Sequence, residues 1–264
     1  MIDGVDAVVL AGDGGFRDPA APAGEAPGKA LLRIGSRAMV DYVVAALKSC
    51  AEIRKIVLVG PEAVRTLYGA ESGLLFADPG ASPLGSFAAG VAALEAAGEA
   101  EAGTPWVLAC TGDLPFLTPA AVKDFLDRCR ERKAAFYYPI IPRQVAEERF
   151  PGVKRTYARL REGTFTGGNL LLVDRRILGS CMAKAEEFIR LRKKPARLAQ
   201  LVGWEILWKY LFGVLSVKNV EERVSELFGV PGAAVVSHYP EIGVDVDKPA
   251  DLALARHLLS PSEA

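Results

Sequence analysis

VDAVVLAGDGGFR, from Val5 to Arg17, opens on a β-branched, largely apolar run with Asp6 as its one charge, then breaks into glycines and ends on a cation. A short apolar run bounded by a glycine cluster reads as a strand buried on both faces and closed by a tight loop. Outward from it the same rhythm repeats. SRAMVDYVVAALKSC (36–50) has helical apolar spacing, RKIVLVG (54–60) is a second strand pattern and EAVRTLYG (62–69) a second helix. LLFAD (74–78), PLGSFAAGVAALEAAG (83–98), WVLAC (106–110), TPAAVKDFLDRCRER (118–132) and AFYYPII (135–141) continue the alternation. Apolar strands alternating with helices need crossover connections, which predicts a doubly wound α/β fold with a mostly parallel sheet.

After Pro142 the rhythm changes. Two strand-like runs, TYARL and GGNLLLVD, precede a long helical region from about 183 to 229, and the last segment, AAVVSHYPEIGVDVDKPADLALARHLL (233–259), reads as strand, strand, helix. We read residues 1–264 as one domain, with 143–230 as a largely helical excursion folded beside its first half.

Composition narrows the chemistry. With 32 Lys+Arg against 32 Asp+Glu among 264 residues, the balance argues against a nucleic-acid coat or a polybasic membrane binder, and 50% apolar residues argue for a folded core. Cys50, Cys110, Cys129 and Cys181 are scattered singly, so neither a zinc knuckle nor a dithiol site is written, and they read as buried thiols. With only His238 and His257, the chemistry must run on carboxylates, Lys, Arg and backbone amides. The apolar start has no basic region before it, and Leu201–Val217 is interrupted by Glu205 and Lys209; a soluble, cytoplasmic protein without membrane association is expected. In 201–216, Trp204, Trp208, Leu211 and Leu215 form a helical stripe below the basic Arg190, Arg192, Lys193, Lys194 and Arg197. The stripe reads as core or as a contact between subunits of a homo-oligomer, with a lipid-facing role as the alternative.

In such sheets ligands sit beyond the carboxyl ends of the strands, and three loops fall on that edge. After the first strand, Gly12, Gly14 and Gly15 let backbone amides face an anion while Arg17 and Lys29 supply positive charge; a flexible turn with two solvated cations is the other reading. The spacing excludes a dinucleotide fingerprint, because Arg17 stands where a glycine is needed, and a Walker loop, because Ala30 follows Lys29. Asp113, ending the strand in WVLACTGDLPFLTP (106–119), is placed either to hold Mg2+ against phosphates or to form a turn. Asp245 and Asp247 precede the last helix, which Asp247 could cap.

Taken together, VVLAGDGGFR, PGKALLRIGSRAMVDYVVAAL, ASPLGSFAAGVAAL, CTGDLPFLTPAAV and VDVDKPADL resemble the MobA-like NTP transferases, a branch of the GT-A-like nucleotidyltransferases with Rossmann-like sheets. The resemblance implies Mg2+-dependent transfer of an NMP from an NTP to a phosphorylated small-molecule acceptor, with pyrophosphate released. It implies a triphosphate cradle of Leu10, Ala11, Gly12, Gly14, Gly15 and Arg17, phosphate contact by Lys29, and a metal held by Asp113 and Asp247, with Asp245 as substitute for the second. Asp78, Gly85 and Ser86 match the segment that contacts the base; Asn169 matches a residue that touches the acceptor in sugar-phosphate members. From their charge alone, Lys154, Arg155 and Arg159 read as acceptor-phosphate ligands or as ordinary exposed cations.

Two departures from the pattern stand out: Asp13, where the family carries Gly or Ala, and the insertion 18–27. A glycosyltransferase using a finished nucleotide sugar, or a nucleotide-binding protein without turnover, are the alternatives.

Overall fold

The computed structural model describes residues 2–12, 28–69, 73–97, 104–191, 201 and 203–259. The first half carries strands β1 (Val5–Leu10), β2 (Arg33–Ile34), β3 (Arg37–Ala38), β4 (Ile53–Val59), β5 (Leu75–Ala77) and β6 (Trp106–Thr111). Helices α1 (Met39–Lys48), α2 (Glu62–Tyr68), α3 (Pro83–Ala96) and α4 (Pro119–Arg130) alternate with them. The second half adds β7 (Phe136–Pro142), β8 (Ala158–Leu160), β9 (Gly163–Gly167), β10 (Leu170–Asp174) and β11 (Gly232–Val236). Its helices are α5 (Arg143–Arg149), α6 (Leu178–Leu191), α7 (Trp204–Leu211), α8 (Val217–Phe228) and α9 (Pro249–Leu259).

Among the described residues nine strands form one sheet in the order β5-β4-β1-β6-β10-β7-β9-β8, with β11 paired to β7. The strands β5, β4, β1 and β6 run parallel, as do β7 and β11, whereas β10 is antiparallel to both its neighbours. This is the doubly wound, mostly parallel α/β architecture that the sequence predicts. The excursion after residue 142 contributes β8, β9 and β10 to that sheet.

Both faces of β1 are buried, which explains why all of its residues but Asp6 are apolar. Val5, Ala7 and Val9 join the core under α1 and α4, with Val43, Leu47, Val122 and Phe125, whereas Val8 packs with Phe87, Val91 and Leu94 of α3 on the other side. There α3 comes close enough that a Cβ on Gly90 would lie 2.5 Å from Val8 Cγ1 and 2.9 Å from Val59 Cγ2. Gly90→Leu is therefore expected to cost about 1–3 kcal/mol, read as a lower urea midpoint at unchanged m-value; an unchanged midpoint would mean that α3 does not rest there.

Two expectations are corrected. The run EIGVDVD is not a strand: Pro240–Gly243 is a 3₁₀ turn, and the residues after it lie extended without a ladder. Its apolar alternation is satisfied by a separate small core, in which Val244 and Val246 pack with Leu32, Ile34, Met39, Phe116 and Leu252. The helical region of about 183–229 is carried by separate helices: α7 ends before Gly213, at φ 69°, and the Ser216 hydroxyl caps α8. Finally, the stripe on α7 is not core. Trp204, Trp208 and Leu211 are 60%, 56% and 65% exposed, and only Leu215 is buried. The periodicity gives an amphipathic helix; it cannot say what covers the apolar side. All four cysteines are buried thiols, and among the described residues no helix is long and apolar enough to cross a membrane.

Candidate active site

The sheet reverses its winding between β1 and β6, since β4 and β5 lie to one side of β1 and β6 to the other. Loops leaving the two strands then diverge to opposite faces and open a crevice at their carboxyl ends. Here the strand ends are in direct contact. The Gly112 amide donates to the Leu10 carbonyl at 2.9 Å, and a Cβ on Gly112 would sit 3.3 Å from Ala11 Cα. Just beyond, a Cβ on Gly12 would meet none of the described residues within 4 Å.

Four charged side chains converge on this edge. Lys29 is set by a 3₁₀ turn, Lys29–Leu31, whose neighbours Ala30 and Leu32 are buried in two different cores. The lysine itself is only 6% exposed, and its ammonium donates to Asp113 Oδ2 and, at 2.6 Å, to Asp247 Oδ1. Asp113 follows the end of β6. Asp245 and Asp247 are presented by the V-D-V-D alternation: Val244 and Val246 are buried, and the Val246 amide is tied to the Asp113 carbonyl at 3.1 Å. Asp251 supplies the carboxylate that accepts from the Asp247 and Lys248 amides, at 3.1 and 2.8 Å, where the last helix begins.

Asp113, Asp245 and Asp247 bring one carboxylate oxygen each to within 4.8 Å of one another. An all-oxygen donor set of this kind suits a hard divalent cation. The second oxygen of Asp113, Oδ1, is buried and has no hydrogen-bond partner among the described residues, as expected of an atom that serves a cation. The residues thus fit Mg2+, and Asp245 stands with the other two rather than in place of one.

The electrostatics follow from this crowding. Burial alone would lower the Lys29 pKa, but the charges and hydrogen bonds of Asp113 and Asp247 outweigh it and hold it above the ordinary lysine value. Burial, then the negative charges of Asp247 and Asp113, push Asp245 up to about 6. Between the usual aspartate value and about 6, the folded protein binds a proton that the unfolded chain has released, so this group costs stability as pH rises through that window. In metal-free buffer Asp245→Asn is expected to melt higher than the wild type at pH 7, with the difference vanishing near pH 4. A melting difference independent of pH would remove Asp245 from the cluster.

Arg155 reaches the same cluster from the excursion. Its guanidinium donates to Thr166 Oγ1 at 3.2 Å and to the Gly167 carbonyl at 3.0 Å, and lies 3.7 Å from Asp245 Oδ1. Of its two readings, the ordinary exposed cation does not match this setting; its neighbour Lys154 is exposed. Asn169 lies in the break between β9 and β10, its backbone amide bonded to the Ile242 carbonyl and its Nδ2 buried without a hydrogen-bond partner among the described residues.

The segment matched to base contact lies at the end of β5 on the same edge. Asp78 is exposed beside Arg65, at 3.7 Å, and Ser86 Oγ accepts from the Gly80 amide at 3.0 Å. Gly85 donates to Ser82 Oγ at 3.0 Å in the first turn of α3. Gly80 went unread in the sequence: a Cβ there would lie 2.4 Å from the Gly85 carbonyl carbon, so this loop closes only on glycine. Asp13, Gly14, Gly15, Arg17 and the insertion 18–27 lie outside the described residues.

The comparisons with known proteins point the same way. The family model described as MobA-like NTP transferase domain matches residues 7–198. Among solved structures, a hypothetical transferase from Thermus thermophilus is 41% identical, with 94% of this chain and 99% of that one covered and a TM-score of 0.76. The 2-C-methyl-D-erythritol 4-phosphate cytidylyltransferase from Thermus thermophilus is 19% identical, over 97% and 98% of the two chains, at a TM-score of 0.52. A CMP:2-keto-3-deoxy-manno-octonic acid synthetase, solved with CTP, is 15% identical, over 97% and 98%, at 0.57. The last two are likenesses of fold. No curated protein gives a significant match.

Proposed function

The chain belongs to the MobA-like NTP transferase domain family, and from that premise we propose that this nucleotidyltransferase moves an NMP from an NTP to a phosphate-bearing acceptor, with Mg2+ held by Asp113, Asp247 and Asp245. The observation that carries the reading is the convergence of Lys29 with these three carboxylates at the crevice between β1 and β6. The triphosphate would lie over the amides of Leu10, Ala11, Gly12, Gly14 and Gly15, with Lys29 and Arg17 as its cations, and the base against Asp78, Gly85 and Ser86.

An acceptor phosphate oxygen attacks the α-phosphorus, the bond to the β-phosphate oxygen breaks, and pyrophosphate leaves. A phosphomonoester is largely dianionic at neutral pH, its second pKa being near ~6, so it needs no general base. That suits a site built from Lys, Arg and Asp in a chain with two histidines. Bound between the aspartates, Mg2+ would offset the charge that builds on the triphosphate oxygens. Lys29 and Arg17 bind and orient the triphosphate, which is where most of the catalysis in phosphoryl transfer resides. Arg155 and Asn169, with Lys154 at the margin, would receive the acceptor, making the excursion 143–230 the acceptor side of a single domain.

The test is pyrophosphate release with each of the four NTPs, against pooled sugar phosphates and molybdopterin, with and without Mg2+. Release that needs both an acceptor and Mg2+ is expected. Nucleotide binding without release under every acceptor would favour a protein that has lost turnover.

A further inference from the structure

We propose that Lys29 makes a divalent ion and a triphosphate bind as a pair, each weakly on its own. The inference rests on the reading that Asp113, Asp245 and Asp247 hold the ion. In the structure the Lys29 ammonium occupies both Asp113 Oδ2 and Asp247 Oδ1, two of the carboxylates that would have to face a cation. Lys29 is buried, and the residues that follow it, Ala30 in one core and Leu32 in another, hold its backbone in place. Only the flexible four-carbon side chain can swing, and it leaves two carboxylates only for a stronger anion.

A triphosphate is such an anion, and it enters beside Lys29, over the Leu10–Gly12 end of β1. As the ammonium turns to the phosphates, Asp113 and Asp247 are released to the divalent ion. By linkage the ion in turn favours the triphosphate by the same factor. A free metal ion without nucleotide meets a site in which two of the three carboxylates are already paired with the ammonium, and is held poorly. The lysine thereby keeps the aspartate site from filling with metal before substrate arrives.

The test uses Mn2+ as the probe, followed by electron paramagnetic resonance of the free ion at pH 8, with the full chain. Lys29→Met should bind Mn2+ alone at least about fivefold more tightly than the wild type, the lower end of ordinary coupling strengths. Lys29→Gln carries the same expectation should the methionine variant not fold, and Lys29→Arg, which keeps the charge, should bind Mn2+ as weakly as the wild type. In the second arm, an equimolar mixture of the four α,β-methylene NTPs should tighten Mn2+ on the wild type, with a smaller tightening on Lys29→Met.

Folded neutral variants that bind Mn2+ no better than the wild type would overturn the coupling while leaving the functional reading in place. A wild type that takes up neither Mn2+ nor analogue in any combination would overturn both.

Discussion

Asp113→Asn is expected to lower kcat by about a thousandfold or more at saturating Mg2+ and NTP, on the scale seen when one preorganised charge-stabilising group is removed. That corresponds to about 4 kcal/mol in the barrier, at ~1.36 kcal/mol per decade. The amide keeps the shape of the carboxylate but offers a cation a neutral oxygen, a much poorer ligand for Mg2+. The substitution leaves the backbone bond from Val246 to the Asp113 carbonyl untouched, so the loop bearing Asp245 and Asp247 should keep its place. The lost function should therefore come with a native circular dichroism spectrum and a melting temperature within a few degrees of the wild type. Because the ligand matters to the transferring phosphate, the loss should fall on kcat rather than be recovered at high substrate. A variant retaining more than a tenth of wild-type kcat would remove Asp113 from the catalytic centre.

The parts of this site that the sequence discloses are those whose signals are local. β1 is legible because, Asp6 apart, every residue on its two buried faces is apolar, and the glycines after it mark where the chain must turn. Asp113 is legible for the same reason: it follows a strand apolar throughout. The V-D-V-D run discloses its alternation but not its structure. The same pattern is produced by a ladder or by a segment pinned on a small core, and only the packing of Val244 and Val246 against Leu32, Ile34 and Phe116 tells them apart. That difference also decides Asp245, which a sequence reading sets behind Asp247 and the fold places beside it.

Arg155 shows the opposite limit. Nothing in KRTYARL distinguishes one cation from the next, because the partners that fix Arg155, Thr166, Gly167 and Asp245, are brought to it by the pairing of β7 with β9 and by the closing loop before α9. Gly80 is illegible for a related reason, since its constraint comes from Gly85 folding back over it.

Lys29→Met should destabilise the metal-free protein at pH 8 by roughly 2 kcal/mol, somewhat under the about 3–5 kcal/mol lost when one partner of a fully buried pair is removed. The discount is for solvent: Lys29 and Asp113 have side chains 8% and 15% exposed, whereas Asp247 is 63% exposed and its share of the pairing is screened. Since the folded-state pKa of Lys29 is raised by Asp113 and Asp247, the wild type holds this stabilisation below the ordinary lysine value wherever those carboxylates are ionised, and on the alkaline side loses it only as pH climbs past the raised value. The deficit of the variant has a different pH course, because it comes from the carboxylates left facing one another. It should shrink as they protonate on acidification through the range below about 6, where Asp245 titrates. A double-mutant cycle separates pairing from packing. If the loss is unneutralised charge, Lys29→Met with Asp113→Asn should cost less than the two single losses summed, as expected for side chains in contact. Adding Mn2+ should then restore stability to Lys29→Met, which keeps all three carboxylates, more than to the double variant, which keeps two. Strict additivity across the cycle, with no recovery on Mn2+, would mean that the lysine is held by its buried stem and that the carboxylates do not depend on it.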